Sequence, residues 1–246
     1  MLFLSSHPII EALTVPFLVG IAAYALGTVS RSGLIGGVVI GALIYGCSGM
    51  GGFAVLGVFF VLASGLTHLG YEVKAARGIA QSGRGRRGAR HALANCAVGT
   101  LLAMVYKFTH GSPLAGALLT ASFATAAADT AGTEFGSLYG RRAFLAASLR
   151  PVPPGTPGAV SVEGTAASLV AAVAVALTGI LTGLFSGSAL WASAAGSAFA
   201  AAYAESLLGS FPGLERALGN EWLNVLNTAL GALLCLIAAL VAGLPV

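Results

Sequence analysis

Charge is what this chain lacks most. Only 8% of its 246 residues are Asp, Glu, Lys or Arg, where a soluble domain carries about 25%. With 57% hydrophobic residues and a mean hydropathy of +0.91, a water-soluble globular fold is excluded and several membrane spans are required. Aspartate is almost missing: Asp129 is the only one. Cysteine is scarce, and Cys47, Cys96 and Cys235 are scattered through apolar stretches. They read as small buried hydrophobes, not as a disulfide or zinc set. No Gly-x-Ser-x-Gly elbow and no Walker A lysine occur, and His7, His68 and His110 stand alone, which removes the common hydrolase, P-loop and zinc signatures. Barrel-like alternation is absent too, since the apolar runs are far longer than a strand of about 10 residues. The fold class is therefore all-α, a polytopic transmembrane helical bundle. The net charge of +4 makes no case for nucleic acid, because the basic residues sit in loops between apolar segments.

What is present is a series of long apolar runs. A span takes about 20 such residues, and segments 9–28, 33–48, 51–69, 92–108, 112–129, 165–185, 188–206 and 222–243 predict about eight spans. Seven is the alternative count, and the second and third segments, short or Gly-rich, have soft boundaries. The first run leads straight into further spans and reads as a retained helix. The polar loops 70–91, 130–164 and 207–221 are each separated by two spans and so share one side, together with Arg31. Their positive charge assigns that side to the cytoplasm and both termini to the outside. A single transmembrane domain over 1–246 is expected. Polar equipment gathered on one face suits an enzyme at that surface better than a channel or carrier.

Four segments carry chemistry. The first is Ala126-Ala-Ala-Asp-Thr-Ala-Gly-Thr-Glu-Phe-Gly136. A carboxylate at the edge of a membrane is costly and marks a functional site. Asp129 and Glu134 would point about 140° apart on an ideal helix, so they are expected to converge only if the helix ends or unwinds near Gly132 and Gly136. With Thr130 and Thr133 they would then suit Mg²⁺, which takes one or two carboxylates and leaves its other positions to water and phosphate. The plainer reading is a helix end with solvated acids, or an ion pair with Arg141 or Arg142.

The second segment, Pro153 to Thr165, holds Gly155, Gly158 and Gly164 with the hydroxyls of Thr156, Ser161 and Thr165. A Gly-rich loop that opens a helix offers free N–H groups and a positive dipole end to phosphate; it also reads as a proline-rich surface loop with Ser161 or Thr165 near an N-cap. The third, Arg84 to Asn95, is Arg-rich. Arg84, Arg86 and Arg87 are assigned to topology and lipid headgroups, while Arg90, His91 and Asn95 adjoin the bundle and are the site candidates. The fourth pairs Glu205-Ser206 at the end of one span with Glu221, Asn224, Asn227 and Thr228 along one face of the next. Such a stripe faces the bundle interior, either for function or for hydrogen bonding between helices. Trp191 and Trp222 are read as interface anchors or packing groups.

The stretches Arg90–Asn95, Ala128–Gly136, Pro154–Thr165, Glu205–Gly209 and Asn224–Asn227, in this order, resemble the integral membrane family formerly catalogued as domain of unknown function ninety-two. That family includes the plant phytyl-phosphate kinase and prokaryotic homologues, and it is distantly similar to dolichol kinase and the CTP-using membrane cytidylyltransferases. Two positions depart from the pattern: Glu205-Ser206 stands where Asp-Ser is expected, and Asn220-Glu221 where Asn-Asp is expected. Both keep an acid and lengthen it by one methylene.

The resemblance implies phosphoryl transfer from CTP or another nucleoside triphosphate to an isoprenyl monophosphate, with Mg²⁺, in a prokaryotic inner membrane and on its cytoplasmic face. On that basis Asp129 and Glu134 would hold the metal, with Glu205 a third acid. Arg90, Arg141 and Arg142 would balance phosphate charge. Residues Pro154, Gly155, Thr156, Gly158, Ser161, Glu163, Gly164 and Thr165 would cradle the nucleotide, and Asn95, Asn224 and Asn227 would orient ligand or metal waters. The expected partners are the lipid substrate, the nucleotide and membrane lipids. The sequence is silent on a homodimer. A cytidylyltransferase on a lipid phosphate, a lipid or ion transporter using Asp129, and a purely structural protein are the rival readings.

Overall fold

The structure, a computed structural model, describes residues 8–211, 213 and 219–244; His7, Glu215 and Arg216 lie outside these. Among the described residues eight α-helices follow in order: α1 (Pro8–Ala25), α2 (Arg31–His68), α3 (Tyr71–Ala76), α4 (Ala89–Phe108), α5 (Pro113–Tyr139), α6 (Val162–Leu181), α7 (Ser188–Gly209) and α8 (Asn220–Val241). Four of them, α2, α5, α6 and α8, are long and apolar enough to cross a membrane. Large apolar side chains such as Ile9, Leu18, Ile35, Val61, Leu181 and Val241 are exposed on the outer surfaces, as a hydrocarbon surround requires.

The apolar run 31–68 is one continuous helix only in outline. Gly49 has φ 66° and ψ −162°, a backbone conformation that side-chain-bearing residues rarely adopt. The chain doubles back there. The Tyr45 and Phe53 rings stand 5.8 Å apart, and a Cβ on Gly41 would lie 3.2 Å from the Phe53 ring. A straight helix would separate residues 41 and 53 by about 18 Å. The two limbs of α2 are thus an antiparallel pair, matching the expected segments 33–48 and 51–69.

α5 is the central element. Ser112 caps it by accepting from the Ala115 N–H, and Pro113 occupies its first turn. Residues 114–128 are almost entirely buried apart from Leu118, because Ala, Gly, Ser and Thr let α2, α4, α6, α7 and α8 approach closely. The expected break near residue 129 does not occur. α5 continues through Asp129 to Tyr139, and Gly132 and Gly136 serve α6 instead: a Cβ on Gly164 would lie 2.7 Å from the Gly132 carbonyl oxygen and 3.1 Å from Gly136 Cα.

Polar segments collect at one end. The backbone N–H of Arg87 donates to Thr28 O (3.0 Å), and that of Ser30 donates to Arg87 O (3.1 Å). Arg77 Nη1 donates to Ser137 O (2.9 Å). The loop after α5 holds a small antiparallel sheet that the sequence reading did not anticipate. Its order is β2–β1–β3, with β1 (Ala143–Leu145) between β2 (Pro151–Val152) and β3 (Ala159–Ser161). At the opposite end the Gly49 turn meets the 182–187 connection, with Leu184 against Gly51, and Lys107 Nζ reaches Gly46 O (3.5 Å).

Candidate active site

Two acids meet between α5 and α7. The Asp129 and Glu205 carboxyl groups lie within hydrogen-bonding reach of each other. From α8, the buried Asn227 donates through Nδ2 to Glu205 Oε2, and Asn227 Oδ1 is buried without a partner. Two carboxylates this close either share a proton or close on a cation. Asn224, one turn earlier on α8, and the adjacent Thr228 are also buried; Asn224 lines the same space as the acids.

Glu134 takes a different partner. On an unbroken helix it points well away from Asp129, and there it meets α3. Lys74, only 1% exposed, donates to Glu134 Oε2 at 2.6 Å and to the carbonyls of Leu66 and Thr67, both at 2.9 Å. All three ammonium donors are satisfied. The expected convergence of Asp129 and Glu134 through an unwound helix is therefore corrected: Asp129 pairs across to α7, and Glu134 neutralises a buried lysine.

The third group is basic. Arg87 is 6% exposed and donates to His91 Nε2 (2.7 Å) and Thr67 Oγ1 (3.2 Å). Its Nε is buried with no partner. His91 accepts this bond, so Nε2 carries no proton. Burial pulls the Arg87 guanidinium below the usual arginine range. Arg87, His91 and Asn95 face the acids across one cavity of about 250 Å³, floored by Thr130, Thr133 and Glu134. Asn95 is held by donating to His91 O (3.0 Å).

A second cavity, of about 230 Å³, shares Asp129, Thr133 and Glu205 with the first and is roofed by Pro154 to Ser161. One water takes about 30 Å³, so the joined chamber has room for phosphate groups with their waters. Ser161 caps α6 by accepting from the Gly164 N–H (3.1 Å), and a smaller hollow beside Asp129 is lined by Gly164, Thr165 and Ser168. Gly158 fixes the loop: its φ is +71°, and a Cβ there would stand 2.2 Å from the Ser210 nitrogen.

The structure thus brings Asp129, Glu205, Asn95, Asn224, Pro154, Gly155, Thr156, Gly158 and Ser161 to one chamber. Asn227 enters through its bond to Glu205, and Gly164 and Thr165 line only the side hollow. Arg90, Arg141 and Arg142 are exposed and line none of these cavities. Glu163 sits beside the Arg141 backbone, whose N–H donates to it at 3.4 Å. The assignment of Arg87 to topology and lipid headgroups is corrected, because it is buried and bonded to His91 and Thr67; sequence reasoning passed over Lys74. Arg87 lies just ahead of α4 rather than on it, and nothing in the sequence separates it from Arg84 and Arg86. Lys74 carries no signal either, because nothing local distinguishes it from a loop lysine.

Among the described residues no group of three or more His, Cys, Asp or Glu is placed to hold a metal. A divalent ion here would rest on the Asp129–Glu205 pair alone. That donor set, with hydroxyls, amides and water space around it, fits Mg²⁺, which needs few protein ligands when phosphate supplies the rest.

The sequence profile of the family described as Integral membrane protein DUF92 matches residues 14–232. Protein VTE6, chloroplastic, from Arabidopsis thaliana is 31% identical over 215 residues, covering 85% of this chain and 64% of the relative. A Synechocystis sp. protein described as Uncharacterized membrane protein sll0875 is 37% identical over 139 residues, covering 56% of this chain and 54% of the relative. The chain spans less than two thirds of the length of both curated relatives. No solved structure matches.

Proposed function

The chain belongs to the integral membrane family DUF92, and on that premise we propose that it is a membrane-embedded kinase transferring the γ-phosphoryl group of CTP or a similar nucleotide to an isoprenyl monophosphate. What carries this reading is one chamber in which the Asp129–Glu205 pair lies between a buried arginine and a glycine-rich loop that opens a helix. Phosphoryl transfer asks for positioning and charge neutralisation more than covalent chemistry, and this chamber offers both. Every described Lys and Arg except Lys107 sits at the chamber end, which supports a cytoplasm-facing site in a bundle of eight crossing segments.

Arg87 binds the acceptor phosphate, its unpartnered Nε and the Nη groups supplying a fork. Asn95 and Asn224 orient oxygen atoms around it. The loop 154–158 and the α6 N-terminus receive the nucleotide phosphates. Asp129 and Glu205 would hold Mg²⁺, which when bound neutralises charge on the donor phosphates. The acceptor is already largely a dianion near pH 7, with a second pKa of about 6, so no strong general base is needed. His91, whose Nε2 accepts from Arg87, is a positioning residue for that arginine.

Labelled CTP, Mg²⁺ and geranylgeranyl monophosphate with the purified chain test the reading. The expected products are CDP and the isoprenyl diphosphate, and Asp129→Asn lowers turnover at least 100-fold while the melting temperature holds. Release of pyrophosphate would instead mean cytidylyl transfer, and nucleotide-independent flux across proteoliposomes would mean transport.

A further inference from the structure

An apolar groove runs from the chamber toward the middle of the bundle. α1 contributes Pro16 and Gly20, the first α2 limb Gly37 and Ile40, and the second limb Phe53 and Gly57. Its polar end is formed by Arg87, His91 and Asn95, the same three residues that face the acids across the chamber. From Gly33 to Ile40 the wall rises about 10 Å. The groove reaches the outer surface at Val19 and Gly37, both exposed.

We infer that this groove holds the first part of the acceptor's hydrocarbon chain, with its phosphate monoester on Arg87 and the rest of the chain passing between α1 and α2 into the bilayer. The inference rests on the kinase reading above and deepens it by assigning the lipid to one side of the acids and the nucleotide to the other. Three observations favour this occupant. The walls are apolar along their length, so a polar ligand would lose its hydration there. The only cation in the lining, Arg87, stands where chain and chamber meet, and its buried Nε lacks a partner, so an anionic head at that point supplies the missing acceptor. The mouth opens on an apolar outer surface, which is where a membrane lipid comes from.

Gly37 and Gly57 provide the test. A Cβ at either position would find nothing within 4 Å, so a larger side chain can start there without meeting protein atoms, and leucine is chosen to take up groove space. Gly65 is equally free of neighbours but lies outside the groove and is the control. The probes are geranylgeranyl monophosphate and the five-carbon isopentenyl monophosphate, read by thermal shift and by turnover with the full chain. Gly57→Leu and Gly37→Leu are expected to reduce the preference for the twenty-carbon over the five-carbon ester at least tenfold, while Gly65→Leu keeps the wild-type ratio. A wild-type ratio in both groove variants overturns the groove and leaves the kinase standing. If the wild type turns over neither ester, the kinase reading fails. The twenty-carbon thermal shift then decides the groove: a shift lost in Gly57→Leu upholds it, and a shift retained there, or absent in the wild type, overturns it.

Discussion

At the residue scale, the two acids of α5 are held for different ends. Asp129 meets a second carboxyl and a chamber, whereas Glu134 meets a lysine that is 1% exposed and bonded to two carbonyls. Removing one member of such a pair leaves the other buried and uncompensated, at a cost of about 3–5 kcal/mol. Lys74→Ala is therefore expected to destabilise the protein by that amount, seen as a lower melting temperature in detergent. Lys74→Met with Glu134→Gln should recover most of the loss. Failure of the double variant to recover would mean that the pair itself, not the orphaned charge, sets the stability. Asp129 is legible in the sequence because a lone aspartate ends an apolar run. Glu205 is expected at the site as a third acid; that it, and not Glu134, meets Asp129 is not legible, because this depends on how α5 and α7 are rotated against each other. Arg87 hides among neighbouring arginines, and only burial separates it from the exposed Arg84 and Arg86.

At the element scale, hydrophobic runs locate the helices well, and chain reversals less so. The sharp turn at Gly49 separates two limbs whose segments are readable from composition, since each alone is about the length of a span. The extension of α5 past Asp129 is not readable, because its last turns are polar enough to pass for loop. The sheet β1–β3 escapes detection because strands of two or three residues have no periodicity to show. The loop that β3 ends depends on Gly158. Alanine there would meet both a left-handed backbone, costing about 1–2 kcal/mol, and the Ser210 nitrogen at 2.2 Å. Gly158→Ala is expected to weaken CTP binding at least tenfold while Gly183→Ala, also at positive φ but with no neighbour in reach, leaves it intact. Calorimetric titration with CTP and Mg²⁺ measures the difference, and equal affinities would move the nucleotide off this loop.

At the scale of the whole molecule, charge asymmetry is the basis of the proposed orientation. Lys107 is at the end opposite the chamber and Arg84 at the chamber end. With the native cysteines replaced, Lys107→Cys is expected to react with an impermeant maleimide added outside intact cells, and Arg84→Cys only after the cells are opened. The reverse pattern would place the chamber outside. The segregation itself is visible in the sequence, because three polar loops separated by pairs of spans must fall together. The continuity of groove, arginine, acids and loop is not visible, since it joins side chains from α1, α2, α4, α5, α7 and α8.

The tight packing of α5 has one more consequence. Its first half, built largely of small side chains pressed against five neighbours, closes the way past Asp129 along this helix. A charged site sunk into an energised membrane is a hazard, because protons that enter from one side and leave by the other discharge the gradient. On the proposed reading, the close packing of α5 behind Asp129 would let an acidic pocket sit in such a membrane without short-circuiting it.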